Sequence, residues 1–107
     1  MPTMQDSISV AANSVSVNVL SGQLYEFLEA GTPITLSVVC TITGIRCTYI
    51  CGIPLINDQA VRFRAAADFP LIPDDILLNN NVPGGRQVLT FRNTTAGAGT
   101  AQWRVDL

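Results

Sequence analysis

Three cysteines are the side chains of this sequence best suited to chemistry, because a thiolate can act as a nucleophile or as a metal ligand. Cys40, Cys47 and Cys51 lie close together in a chain that has no histidine. The Ser–His and Cys–His arrangements of nucleophilic catalysis are therefore excluded. A zinc site needs a fourth ligand, and no carboxylate lies within the cysteine cluster. The odd number of cysteines and their spacing predict three buried, reduced thiols rather than a disulfide framework.

Two other short motifs could bind an ion or a phosphate. Asp74 and Asp75 are adjacent carboxylates that could hold Ca²⁺, although a Pro-Asp turn is the commoner use of such a pair. Gly84-Gly85-Arg86 could approach a phosphate, but it has no Walker or dinucleotide pattern around it. We therefore predict a protein that is not an enzyme and that has no cofactor, no metal and no small-molecule substrate.

The three cysteines lie in the longest apolar stretch of the chain, residues 33–56, with the sequence PITLSVVCTITGIRCTYICGIPLI. Apolar residues alternate with mostly polar ones on both sides of Thr43-Gly44, which is the pattern of β-strands. We expect a hairpin that turns at Thr43-Gly44 and pairs Cys40 with Cys47. One face would carry Ile34, Leu36, Val38, Cys40 and Ile42 together with Ile45, Cys47, Tyr49, Cys51 and Ile53. The other face would carry Thr35, Ser37, Val39, Thr41, Arg46, Thr48 and Ile50.

The same stretch is apolar and long enough to be a membrane-spanning helix. Against that alternative stand the strict alternation, the two prolines, and the charge of Arg46 near the centre, where a charged residue is costly. We therefore favour strands, and a membrane is not an expected partner.

The rest of the chain has the short strands and turns of an all-β domain. Residues 23–30 fit either a helix or a strand, and a strand is favoured because the surrounding segments are β. Residues 52–60 and 68–85 are expected to be connections, the second with a short strand at 76–78. We predict a single domain over 1–107, an antiparallel β-sandwich of single jelly-roll type with about seven to nine strands. The other strands are expected at 60–65, 87–93 and 100–107, the last two forming a second hairpin, and at 7–20, as one strand or as two short ones broken by a turn or bulge at Ala12-Asn13.

Alternation also assigns the inward-facing side chains of these strands. Residues 7–20 would present serines and asparagines on an uncharged sheet edge, and such an edge invites pairing with another chain. We expect inward-facing side chains at Val15, Val17, Val19, Val61, Phe63, Leu89, Phe91, Trp103, Val105 and Leu107.

The composition indicates a surface that is partly buried against other chains. Charged residues make up 13% of the sequence, against about 25% in ordinary soluble domains. The net charge of −2 argues against a nucleic acid as the main partner. All six basic residues are arginines, which tolerate protein interfaces better than lysines do. The candidate subunit interface, on faces predicted to point outward, comprises Arg62, Arg64, Arg92, Arg104, Val39, Ile50 and Val88.

Four segments carry a resemblance: GIRCTYICGIPL, AVRFRA, FPLIPDDILL and GGRQVLTFRNTTAGAGTAQWRVDL. Their arrangement resembles the small single-domain β-sandwich proteins of virus and phage particles, including the jelly-roll vertex proteins of tailless icosahedral phages. The resemblance implies a structural virion protein, made in the host cytoplasm, with no catalytic residues. Its implied partners are itself, in a symmetric homo-oligomer, and other shell proteins.

A carbohydrate- or surface-binding β-sandwich module is the alternative function. Loops 66–86 and 94–99 would then form its binding edge. A monomer at micromolar concentration would favour the binding module, whereas an oligomer would favour the shell protein. Residues 1–6 have neither the basic nor the apolar region of a targeting signal, which agrees with synthesis in a cytosol.

Overall fold

The computed structural model of the chain describes residues 3–23, 25–64 and 75–107. These residues form β-strands joined by turns, and no α-helix occurs among them. The ambiguous segment 23–30 contains a strand of two residues. The eight strands are β1 (Thr3–Val10), β2 (Phe27–Leu28), β3 (Pro33–Cys40), β4 (Ile45–Cys51), β5 (Ile53–Ala60), β6 (Ile76–Asn81), β7 (Gly85–Asn93) and β8 (Gly99–Asp106).

The strands form two antiparallel sheets of four strands each, which pack against each other as a sandwich. One sheet has the order β1-β8-β3-β6, and the other has the order β2-β7-β4-β5. Buried side chains of both sheets meet in one core, which contains Trp103, Phe91 and Tyr49. The predicted all-β antiparallel sandwich is therefore confirmed, and the strand count lies inside the expected range.

The predicted hairpin between the two arms of the long apolar stretch is wrong, because β3 and β4 belong to different sheets. Cys40 pairs with a residue of β8, and Cys47 pairs with residues of β7 and β5, so the two cysteines are not cross-strand partners. The Thr43-Gly44 turn therefore carries the chain from one layer of the sandwich to the other. Alternation specified which side of each strand faces the core, but it did not specify the neighbouring strand.

The predicted second hairpin fails in the same way, since β7 and β8 also lie in different sheets. The 94–99 loop that joins them packs against the Thr43-Gly44 turn. Thr94 donates hydrogen bonds from its backbone N and its Oγ1 to the carbonyl oxygen of Gly44, at 3.0 and 2.7 Å. Gly44 has a φ of 94°, and a Cβ there would lie 2.6 Å from Thr95 Cγ2. The Thr43-Gly44 turn and the 94–99 loop both connect one sheet to the other, and their contacts stabilise each other at one end of the sandwich.

The inward faces of β3 and β4 are those that the alternation predicted. Two residues outside these strands that were also expected to face inward do not do so, because Ile53 and Phe63 have 53% and 45% of their surface exposed. Ile53 lies directly after the tight turn at Gly52, and Phe63 lies beyond the end of β5, where the chain has left the regular sheet. The buried residues on the predicted inward faces of the two strands are Ile34, Leu36, Val38, Cys40, Ile45, Cys47, Tyr49 and Cys51, and Ser37 and Val39 of β3 are buried as well.

Strand β5 occupies most of the segment that was predicted to be a connection. The turn-forming pair Asn57-Asp58 lies inside the strand, where the pairing between β4 and β5 shifts register. Asp58 adopts a φ of 53°, which an aspartate tolerates better than most residues do. The turn signal therefore marks a bulge rather than the end of the strand. Conversely, residues 61–64 of the predicted 60–65 strand lie outside the regular strands, and only Ala60 belongs to β5.

Val39, which was expected on an outer face, is fully buried with 0% exposure. Its strand lies inside the sheet, where Gln102 of β8 is its cross-strand neighbour. On the other side, Cys40 N donates to Arg62 O and Arg64 N donates to Cys40 O, both at 3.0 Å. The structure therefore places Val39 among the buried residues and not on an outer surface.

One polar side chain is satisfied inside the core. Gln87 is fully buried, its Nε2 donates to the carbonyl oxygen of Tyr25 at 2.8 Å, and its Oε1 accepts a hydrogen bond from the Tyr49 hydroxyl. Burial raises the pKa of Tyr49 above its usual value. The two bonds fasten β4 and β7 to the segment that precedes β2.

We expect Tyr49→Phe to lower the free energy of unfolding by about 1–3 kcal/mol, because Gln87 keeps a buried carbonyl oxygen that has lost its donor. Urea titration followed by circular dichroism measures the loss. Tyr25→Phe is the matched control, because Tyr25 is 38% exposed and offers Gln87 its backbone oxygen. Equal losses in the two variants would contradict the prediction.

Candidate interaction surface

The residues predicted to form a subunit interface do not lie on one surface. They are divided between the two sheets of the sandwich, whose outer faces point in opposite directions. Ile50, Val88 and Arg92 belong to the β4 and β7 sheet, whereas Arg62, Arg64, Arg104 and the buried Val39 lie with the other sheet. Ile50 and Val88 are half-buried cross-strand neighbours, so only part of the predicted set is brought together.

All six arginines form ion pairs with carboxylates of the same chain. Four of the six also contribute a hydrogen bond from the guanidinium to that carboxylate. These charges therefore have partners within the chain, and the interface role that the composition suggested stays a prediction. The pairs are Arg46–Asp58, Arg62–Asp75, Arg64–Asp75, Arg86–Glu26, Arg92–Asp58 and Arg104–Asp106.

Asp58 connects three strands on the outer face of its sheet. Arg92 Nε and Nη2 lie 3.0 and 2.6 Å from its two carboxylate oxygens, and Arg46 Nε lies 3.3 Å from Oδ2. The hydrogen bond from Arg92 lowers the pKa of Asp58, and the positive charges of Arg92 and Arg46 lower it further. The carboxylate in turn raises the pKa of Arg92. This cluster stabilises the alignment of β7, β4 and β5.

Asp75 is a charged residue inside the protein, with 1% of its surface exposed. Arg64 Nη1 lies 3.1 Å from its Oδ2, and Arg62 Nε lies 3.9 Å from its Oδ1. Such cations stabilise a buried carboxylate, and removing a partner of a buried ion pair is strongly destabilising. Reversing the charge of both arginines would therefore damage the fold and could not test an interface. The neighbouring Asp74, the other half of the predicted carboxylate pair, lies outside the described residues.

Three exposed apolar side chains follow the outer edge of β7, and we call Val15, Val17 and Phe27 the apolar edge. They are 62%, 75% and 70% exposed, respectively. Val15 forms a bridge with Arg92, and Phe27 pairs with Arg86, so the three extend along most of β7. Their exposure along one strand makes this edge a candidate site of contact with another molecule.

The prediction that Val15 and Val17 face inward is wrong because two polar side chains bind the backbone of β7. Ser16 Oγ and Asn18 Oδ1 each accept a hydrogen bond from a backbone N–H group of β7, at 3.0 and 2.9 Å. Serine and asparagine side chains often replace backbone partners in this way. Since Ser16 and Asn18 turn toward β7, the valines that alternate with them turn toward solvent.

An open cleft of about 270 Å³ lies between β1 and the chain segment that carries Val17. Trp103 is 1% exposed and lines the cleft, and its Nε1–H has no acceptor among the described residues. Asp6 of β1 is the register partner of Trp103, and it brings an exposed carboxylate to the same cleft. The lining residues are Asp6, Ser7, Ile8, Val17, Asn18, Val19, Ser21 and Trp103.

Strand β1 lies at the edge of its sheet and pairs only with β8 among the described strands. The pairing keeps an unbroken register from Thr3 to Val10. The edges on the opposite side are less regular, since β5 contains Pro54 and both β5 and β6 pair with shifts of register. Regular edges accept a further strand more readily than bulged ones do. The outer edge of β1, the cleft and the apolar edge together form the candidate interaction surface.

The sequence interpretation missed Asp6 and placed Trp103 only in the core. A signal for Asp6 was present, because it alternates with Met4, Ile8 and Val10 on the inward face of its strand. A single charge on an otherwise apolar face of an edge strand marks either protection against wrong pairing or a binding site. No comparable signal could place Trp103 beside a cleft, since that depends on how the two sheets meet.

The three cysteines are buried and unpaired thiols. Burial raises the pKa of Cys47 to about 12, which leaves little of the reactive thiolate at neutral pH. We expect a thiol reagent to label all three only after denaturation, as measured by timed labelling with and without urea. Rapid labelling of Cys40 or Cys47 in the native protein would contradict the buried positions.

Comparison with known protein families, with curated proteins and with solved structures finds no match for this chain. Within residues 3–23, 25–64 and 75–107, no helix is long and apolar enough to cross a membrane. The same residues contain no group of three or more His, Cys, Asp or Glu side chains that could hold a metal ion. Function is therefore inferred from the surface residues themselves.

Proposed function

We propose that this protein is a structural component of a virion shell, which acts by self-assembly into a symmetric homo-oligomer and by contact with other shell proteins. The observation that carries the proposal is the apolar edge, where Val15, Val17 and Phe27 are 62–75% exposed. Burial of apolar surface against another chain contributes about 25 cal/mol per Å². Since the arginines are paired within the chain, apolar contact supplies most of the affinity.

The strand order supports a shell protein. β1 lies beside β8, β2 beside β7, β3 beside β6 and β4 beside β5, so the chain is nested from its two ends toward its middle. Eight strands nested in two sheets support the jelly roll, a fold found in viral capsid and lectin domains. Because a fold does not specify a function, the surface has to decide between these two uses.

The surface favours the shell protein over a carbohydrate-binding module. The single tryptophan of the chain, which is 1% exposed, presents no open ring face to a sugar, and the exposed Phe27 is part of the apolar edge. The 94–99 loop is fastened to the protein, with Asn93 donating to Gly97 O at 2.8 Å and accepting from Thr95 N at 2.9 Å. The other predicted binding loop, 66–86, lies partly outside the described residues and otherwise contains β6 and the start of β7.

The mass of the protein in solution tests the proposal. Size-exclusion chromatography with multi-angle light scattering at micromolar concentration should show an oligomer for the wild type. Val17→Asp combined with Phe27→Asp should yield a monomer, because a charge at each position opposes burial of the apolar edge. Circular dichroism checks that the variant is folded.

The matched control is Ile53→Asp, which places the same charge on an apolar residue that is 53% exposed on β5, at the opposite side of the sheet. This variant should assemble like the wild type. A monomeric wild type would contradict the proposal and favour the binding module. Wild-type assembly of the folded Val17→Asp, Phe27→Asp variant would show that the apolar edge is not the interface.

A further inference from the structure

We propose that the outer edge of β1 and the adjoining cleft bind an extended segment of a different protein, and that a lysine or arginine side chain of this segment enters the cleft. The inference deepens the proposed role in shell assembly, on which it rests, by naming the chemistry of the partner. Its basis is the juxtaposition of a regular edge strand, an inward-facing carboxylate and apolar cleft walls.

The outer edge of β1 offers backbone groups to a further strand. The backbone N–H of Ser7 donates to Asp6 Oδ1 at 2.8 Å, which indicates that this N–H points away from β8. Bonding direction alternates along an antiparallel strand, so the backbone groups of Gln5 and Ser9 point to the same outer edge. An added strand would bond to these groups, as it does in complexes formed by β-strand addition.

The cleft lies where alternate side chains of an added strand would point. Asp6 and Ile8 line it from β1, and Val17 and Val19 line it from the segment that runs beside β7. Side chains on one face of a sheet stand beside those of the next strand, so every second residue of the added strand would face the cleft. The cleft measures about 270 Å³. Small-molecule sites usually measure about 300–1,000 Å³, so this cleft is suited to one long side chain.

The lining of the cleft fits an aliphatic chain that ends in a cation. Ile8, Val17 and Val19 would contact the methylene groups of the entering side chain. Long basic side chains commonly pack these groups against apolar surface. The Asp6 carboxylate would pair with the ammonium or guanidinium group at the end. This pairing would also draw the carboxylate away from the Ser7 N–H, which would then bond to the added strand.

A second copy of this chain does not supply that cation. The chain has no lysine, and each of its six arginines is in an ion pair with a carboxylate of its own chain. Pairing of β1 with β1 of a second copy would place two Asp6 side chains on the same face of the joined sheet. An inward-facing charge on an edge strand opposes such self-pairing, so the segment comes from another protein.

Trp103 allows binding at this site to be observed directly. It is the single tryptophan of the chain, and it lines the cleft. Its Nε1–H has no acceptor among the described residues, so an entering segment could also supply one. Because a side chain in the cleft changes the surroundings of the indole, the emission spectrum reports occupancy.

The test uses the whole protein and two capped peptides, TVTKTVT and TVTETVT, which differ only in the central charge. We expect TVTKTVT to shift the Trp103 emission in a saturable way and TVTETVT to bind about tenfold more weakly. Asp6→Lys, with folding checked by circular dichroism, should reverse this order. Asp6→Asn, which keeps the shape of the side chain, should remove the preference. A TVTKTVT peptide with N-methylated backbone should not bind, because it cannot extend the sheet.

The proposal is overturned if TVTKTVT causes no saturable change, or if Asp6→Lys and Asp6→Asn keep the wild-type order of affinities. Binding by the N-methylated peptide would likewise exclude strand addition. Light scattering on the same samples separates this inference from the proposed self-assembly. An oligomer that binds neither peptide overturns the strand-addition site alone, whereas a monomer that binds TVTKTVT overturns self-assembly alone.

Discussion

Replacement of Trp103 by alanine is expected to lower the free energy of unfolding by about 3–5 kcal/mol. Trp103 is 1% exposed, and β8 holds it between β1 and β3, where Asp6 and Val38 are its register partners. Removal of the indole leaves a cavity between the two sheets that the surrounding strands can fill only partly. Urea titration followed by far-ultraviolet circular dichroism measures the loss, since the variant has no tryptophan fluorescence.

Trp103→Phe is the matched control, because it keeps an aromatic ring and removes only part of the buried volume. Its loss should be clearly smaller than that of Trp103→Ala. Near-wild-type stability of the alanine variant would mean that Trp103 is not a core residue, and it would move this side chain to the surface.

Replacement of Arg64 by methionine is expected to lower the free energy of unfolding by about 3 kcal/mol. The methionine keeps much of the aliphatic stem, but it removes the guanidinium that lies 3.1 Å from the buried carboxylate of Asp75. An ionised carboxylate inside a protein is costly when a cation beside it is lost. The same urea titration measures the effect at neutral pH.

Arg92→Met is the control for an exposed ion pair. Its partner Asp58 is on the surface, where solvent screens the charges, so the loss should be much smaller than for Arg64→Met. Arg92 lowers the pKa of Asp58 in the folded protein, so the pair stabilises the protein above the unfolded pKa of Asp58. That contribution is lost as the pH falls through the lower, folded pKa. Equal losses for the two arginine variants would contradict the assignment of Asp75 as a buried charge.

The sides of β3, β4, β7 and β8 that face the core could be predicted from the sequence, because alternation is a property of a single strand. Cys47, Tyr49, Leu89 and Phe91 are buried as their spacing indicated. The partner of each strand could not be predicted in this way. A short turn such as Thr43-Gly44 permits a hairpin, but here it joins two layers and is fixed by the distant 94–99 loop.

The interaction surface was harder to predict, because it depends on contacts between segments far apart in the chain. The exposed valines at 15 and 17 follow from the hydrogen bonds of Ser16 and Asn18 to β7, which alternation does not represent. The arginine content suggested an interface. Only the structure shows that Asp58 and Asp75 each lie beside two arginines.

The pairing of β1 with β8 joins residues from opposite ends of the described chain, and Thr3 Oγ1 donates to Asp106 Oδ1 at 2.8 Å. Domains dominated by such distant pairings fold slowly, in roughly milliseconds to seconds. During synthesis β1 leaves the ribosome long before β8 exists, so both of its edges are uncovered while the rest of the chain is made. An apolar, uncharged strand would be open to aggregation throughout that interval. Asp6 is the one charge in β1, and a charge within such a strand opposes aggregation of the nascent chain.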